Sequence, residues 1–137
     1  MHRIGKFRRL GSAAMLGIAV LVAALVGTSL AQQQARPAFV IVERLATTGD
    51  ESIQENYAKL ARDIIPKYGG QYIAKSQHNT LLEGDGTSPC CIAILQFPSV
   101  EAARRWYNSP ENQAAAKIRL SGGKFRLVAI EGLPVQK

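Results

Sequence analysis

Cys90-Cys91-Ile92-Ala93-Ile94-Leu95-Gln96-Phe97 decides the fold of this chain. The run is short, aliphatic and rich in strand formers, and Pro98-Ser99 stops it, which is the signature of a strand. Alternation places Cys91, Ala93, Leu95 and Phe97 on one face and Ile92 and Ile94 on the other. Both faces are apolar. A sheet built around such a strand must be covered on both sides.

Working outward, Ala38 to Val42 reads as a first strand after Pro37, and Lys124 to Glu131 as a last one. Between the first strand and the central run, Thr47-Thr48-Gly49-Asp50 is turn chemistry. Asp50 or Ser52 can cap the helix that follows, and Ser52 with Glu55 fits a capping box. Ile53, Tyr57, Leu60, Ala61, Ile64 and Tyr68 recur at helical spacing. Pro66 breaks the last turn of that pattern, and Gly69-Gly70 ends it. Gln71 to Ser76 is a further strand. Gln77-His78-Asn79 turns the chain, Thr80 to Glu83 is read as pairing back, and Gly84 to Pro89 is loop. Beyond Phe97, Ser99 caps a helix from Val100 to Asn108. Ser109-Pro110-Glu111 restarts a helix that runs to about Leu120, with Ser at the cap and Pro at the first position.

The order β-α-β-β-α-β defines an α+β, ferredoxin-like plan, a four-stranded antiparallel sheet with its helices on one face. Helices on one face leave the other apolar face bare. A second copy of the same sheet is the economical cover, so a homodimer through the sheet face is expected.

The formal net charge of +7 suggests nucleic acid at first sight. Its distribution argues otherwise. Arg3, Lys6, Arg8 and Arg9 sit in the first 31 residues without an acid, and the rest carries a basic excess of only three. Lys and Arg alternate there with Asp and Glu, and no basic stripe exists to neutralise phosphates. Nucleic acid is therefore excluded as a partner. A basic start, an apolar run from Ala13 to Gly27 and Ser29-Leu30-Ala31 form a signal peptide over residues 1–31, with cleavage expected after Ala31. The competing reading is an uncleaved anchor, since no charge falls between Arg9 and Arg36. On either reading the domain is exported, periplasmic or secreted, and after cleavage it has no membrane attachment. Residues 32–36 are a polar leader, 37–132 the domain and 133–137 a tail.

Several stretches then resemble one family in order. They are Pro37-Ala38-Phe39-Val40-Ile41-Val42-Glu43, Tyr68-Gly69-Gly70, Leu82-Glu83-Gly84-Asp85, Phe97-Pro98-Ser99, Ala102-Ala103 with Trp106-Tyr107, and Ser109-Pro110-Glu111. Together they are similar to the domain of unknown function 1330, within the dimeric α/β-barrel proteins. The resemblance implies the fold and the dimer and little chemistry. Distant relatives of the fold include small monooxygenases without cofactors, haem-handling enzymes and lactone isomerases. The chain departs from the family pattern at Gly86, where Trp is usual, at Cys91, where Arg is usual, at Gln96, where Glu is usual, and at Asn112, where an aromatic is usual.

The candidate site residues are few. His78, within the domain the lone histidine, is a general acid/base by its intrinsic pKa, and Glu83 is its nearest acidic partner. A solvated turn histidine is the plainer alternative. Tyr57, Trp106 and Tyr107 are candidates for the wall of an apolar pocket, against the plainer reading of core packing. Cys90 and Cys91 are adjacent, and export would favour a disulfide or redox role. Neighbours on a strand point to opposite faces, so a bond between them needs a strained turn. Buried thiols or a bridge between subunits are the other readings. No cofactor is expected, and no metal site, because neither Cys-x-x-Cys nor a second Cys/His pair is present. Three functions stay open: a binder of a small apolar or aromatic molecule, a cofactor-free oxygenase or isomerase on an aromatic or lactone-like compound, and a structural or stress-related dimer without ligand.

Overall fold

The computed structural model describes residues 36–135, so the expected signal segment lies outside the described residues. The elements are β1 (Ala38–Thr47), α1 (Glu51–Ile64), a 3-10 turn (Ile65–Tyr68), β2 (Gln71–Ser76), β3 (Cys91–Phe97), α2 (Val100–Asn108), α3 (Pro110–Ser121) and β4 (Gly123–Glu131). The strands form one antiparallel sheet in the order β2-β3-β1-β4, the ferredoxin-like arrangement.

Each helix starts where a short polar side chain can accept a free backbone N–H. Asp50 caps α1 by accepting from the Ser52 N–H at 2.9 Å, in place of a Ser52–Glu55 box. Ser99 caps α2 and Ser109 caps α3, with Pro110 at the first position. Pro66 cannot continue the α-helical ladder, and α1 gives way at Ile65 to the 3-10 turn. Gly69 closes that turn at φ 73°, where a Cβ would also meet Pro98 Cγ at 2.9 Å.

Two readings need correction. β1 does not end at Val42. It pairs with β3 as far as Arg44 and with β4 as far as Thr47, through an irregularity between Arg44 and Ala46. Ladder bonds on both sides carry the strand past the point where the apolar run stops. Thr80 to Glu83 does not pair back. No strand forms between Ser76 and Cys91. Gly84 and Gly86 take positive φ there, and Asn79 Nδ2 closes the loop on the Pro89 carbonyl at 2.8 Å.

The core lies between the inner sheet face and the helices. Ala38, Val40, Leu95 and Phe97 meet Ala61, Ile64, Ile65, Ala102, Ala103, Trp106 and Ala115. Phe97 and Trp106 stack at 5.2 Å between centroids. Burying one such side chain contributes about 1.5–3 kcal/mol, so these two dominate the packing. On the outer face the register sets Ile41 between Ile94 and Val128, and Phe39 beside Ile130. Val128 and Ile130 are exposed there. Glu43 and Arg126 pair at 2.6 Å at one end of this apolar field.

Candidate functional site

A cleft of about 430 Å³ opens between α1 and the inner face of the sheet. Tyr57, Tyr72, Phe125 and Leu95 supply its aromatic and apolar walls, and Arg44 and Arg119 its buried cations. The two arginines are in different electrostatic circumstances. Arg44 follows Val40 and Val42 on the inward side of β1. Its Nη1 and Nη2 donate to the Glu51 carboxylate at 2.6 and 2.9 Å. This hydrogen-bonded pair raises the Arg44 pKa and holds the Glu51 carboxyl below its ordinary range.

Arg119 is only 3% exposed and has no carboxylate partner among the described residues. Its Nη1 donates to the Tyr57 hydroxyl at 3.0 Å. The guanidinium lies 5.1 Å from the Tyr57 ring centre and 5.4 Å from that of Phe125. Gln54 Nε2 donates to the Arg119 carbonyl at 2.9 Å and ties α1 to α3. The Nε atoms of both Arg119 and Arg44 find no acceptor among the described residues. Aromatic faces offset part of the cost of burying a cation, but an unpaired buried charge still lacks its counter-ion.

Tyr72, on β2, borders the cleft with its hydroxyl end desolvated. Burial pushes its pKa up to about 12, although 38% of the residue is exposed. Cys91 also lines the cleft. Burial first, and then a hydrogen bond with Cys90, push its thiol up to about 11. Both cysteines are free thiols and Cys90 is exposed. The alternation expected for adjacent strand residues begins only at Cys91, since Cys90 precedes β3.

A second cleft, of about 310 Å³, lies on the far side of Arg119 beneath α2 and α3. It holds Trp106 and Tyr107, which therefore border a different cavity from Tyr57. Trp106 is 1% exposed and packs in the core as well, whereas Tyr107 is 45% exposed. His78 and Glu83 are exposed and line neither cleft. The His78 N–H is held by Ser76 Oγ at 3.0 Å. Among the described residues no group of three or more His, Cys, Asp or Glu is placed to hold a metal ion.

Sequence reasoning overlooked Arg44, Arg119, Tyr72 and Phe125. The signal for Arg44 was the alternation of β1, which puts it in phase with Val40 and Val42. For Arg119 it was helical spacing from Asn112, Ala115 and Ala116, all buried on α3.

The family model of the domain of unknown function (DUF1330) matches residues 37–133. No curated protein matches the chain. Among solved structures, a protein of unknown function from Rhodopseudomonas palustris superposes with a TM-score of 0.60 at 17% identity, over 74% of this chain and 85% of that one. A dimeric ferredoxin-like protein of unknown function from Jannaschia sp. CCS1 gives 0.54 at 11% identity, over 69% and 98%. SnoaB, a cofactor-independent oxygenase from Streptomyces nogalater, gives 0.51 at 14% identity, over 74% and 96%. At these identities the likeness is one of fold.

Proposed function

The chain belongs to the domain of unknown function 1330 family, and from that premise we propose that it is a homodimeric binder of a small aromatic or apolar molecule carrying an anionic group. The observation that carries this reading is Arg119, a buried cation without an acid, set against aromatic walls in an open cleft. A ligand carboxylate, phenolate or enolate supplies the missing counter-charge, and a ring supplies the apolar contact. Arg44 does not compete for the anion because Glu51 already neutralises it. The dimer is supported by the apolar outer face of the sheet and by the dimeric relative of the same fold. Export through the N-terminal segment completes the proposal and rests on the sequence pattern alone.

Titration calorimetry with benzoate and its neutral isostere benzamide tests the site. Benzoate is expected to bind at least about tenfold more tightly, the scale of one charge-assisted hydrogen bond. Arg119→Met should erase the difference, and Ala93→Phe, which fills the cleft, should abolish binding of both. Equal affinities in the parent protein, or a preference that survives Arg119→Met, would refute the reading.

A second reading is a cofactor-free oxygenase or isomerase on an aromatic or lactone-like compound, and the likeness in fold to SnoaB favours it. Here Arg119 and the Tyr57 hydroxyl would stabilise the anion left when the substrate gives up a proton. His78 lies outside the cleft, and Glu55 is the lining carboxylate free of the Arg44 pair. Oxygen uptake or isomerisation lost in Arg119→Met separates this reading from binding alone.

A further inference from the structure

Arg119 and Phe125 line both clefts. They are the wall that the two cavities share, with Tyr57 on one side and Trp106 and Tyr107 on the other. The rest of the second cleft is walled by aliphatic groups, among them Leu127 and Ala129, with the exposed Arg104 at its edge. It also holds a buried donor without an acceptor among the described residues, the Trp106 indole Nε1. A buried polar group left unpaired beside a cavity points to something that enters the cavity.

We infer that the second cleft is a subsite continuous with the first, and that the preferred ligand is elongated, with its ring in the first cleft, its anion at Arg119 and an apolar tail in the second. This rests on the binding reading above, because it takes Arg119 as the anchor of the anion. The anchor is placed for such a ligand. Arg119, its Nη1 bonded to the Tyr57 hydroxyl at 3.0 Å, lines both cavities, so a ligand anchored on it can extend from one into the other. A compact ligand would use one cavity and leave the other to water. A tail displaces that water and buries apolar area against Leu127 and Ala129.

The chain carries a single tryptophan, Trp106, and it lines only the second cleft. Its emission therefore reports occupancy of that cleft. The probes are benzoate and 2-hexylbenzoate, titrated into the whole protein and followed by calorimetry and by Trp106 emission. The hexyl compound is expected to bind about tenfold or more tightly, since about two buried methylenes already yield that factor. It should shift Trp106 emission, whereas benzoate should bind without shifting it. Ala129→Phe, which fills the second cleft at an exposed strand position, should cancel the gain and leave benzoate affinity unchanged. Tyr107→Ala, at an exposed wall position, should reduce the gain without filling anything and serves if Ala129→Phe fails to fold.

Equal affinities for the two probes, or a gain that persists in both variants with no change in emission, would overturn the subsite while leaving the binding reading intact. Failure of both probes to bind would overturn the two together.

Discussion

Glu51 receives both terminal nitrogens of Arg44 while its own side chain is half open to water. Hydrogen bonding from Arg44 is the main reason its pKa lies below the ordinary carboxylate value. The folded value is lower than the unfolded one. The pair therefore stabilises the protein fully above the unfolded value, and this is lost as pH falls through the folded value. Solvent screening limits the gain to about 1 kcal/mol or less. Urea midpoints measured between about pH 7 and pH 3 should place Glu51→Gln below the parent near neutrality, with the two curves converging in acid. Parallel curves would mean that the pair carries no pH-dependent stability. The same residue distinguishes the two buried arginines of the cleft: Arg44 is paired with Glu51, whereas Arg119 has no acid partner among the described residues, which is the basis of the proposed anion site.

At the scale of elements, the joint between α2 and α3 is the most tightly specified. Ser109 Oγ accepts from the Asn112 N–H at 3.2 Å and donates to the Trp106 carbonyl at 2.8 Å, all of it buried. Asn112 Nδ2 adds a bond to the Tyr107 carbonyl at 2.9 Å. One serine thus ends one helix, starts the next and fixes the aromatic pair that borders the second cleft. Ser109→Ala should cost about 1–2 kcal/mol by urea denaturation. Ser99→Ala, which removes a half-buried cap bonded to the Ala102 N–H at 3.1 Å and to the fully exposed Glu101 carboxylate, should cost less because solvent replaces part of what it loses. An equal loss in the two variants would show that burying the bonds of Ser109 adds nothing. Asn112 is itself buried, and its amide satisfies a carbonyl at the end of α2.

At the scale of the whole molecule, the outer face of the sheet is an apolar face that no helix among the described residues covers. Ile41 is at its centre, flanked by Ile94 and Val128. In the proposed dimer this face is dry, and a carboxylate there would be buried without a partner. Ile41→Asp should yield a monomer in sedimentation and light scattering at concentrations where the parent is a dimer, with the inner-face core still folded by circular dichroism. A parent that sediments as a monomer, or an Ile41→Asp variant that stays dimeric, would rule out this face as the interface. The cleft is on the opposite side of the sheet, so loss of the dimer should leave benzoate affinity nearly unchanged.

The elements and their order were legible in the sequence, because caps, breakers and side-chain alternation are local. Ser99, Ser109-Pro110 and Gly69 act on backbone groups within a few residues of themselves, and Cys91 to Phe97 shows its two apolar faces in its own pattern. The family was legible for the same reason, through short motifs in a set order. Tyr57, Trp106 and Tyr107 were candidates for one pocket wall in the sequence, whereas Tyr57 lines one cavity and Trp106 and Tyr107 the other. That division depends on Arg119, a residue of α3 held by Tyr57 from α1 and by Phe125 from β4. Whether Arg44 is paired depends likewise on how β1 places it against the first turn of α1. Strand register and helix phase decide which distant side chains meet. They are properties of the packed chain, and only the tertiary structure could show Arg44 paired with Glu51 and Arg119 buried against aromatic rings with no acid partner among the described residues.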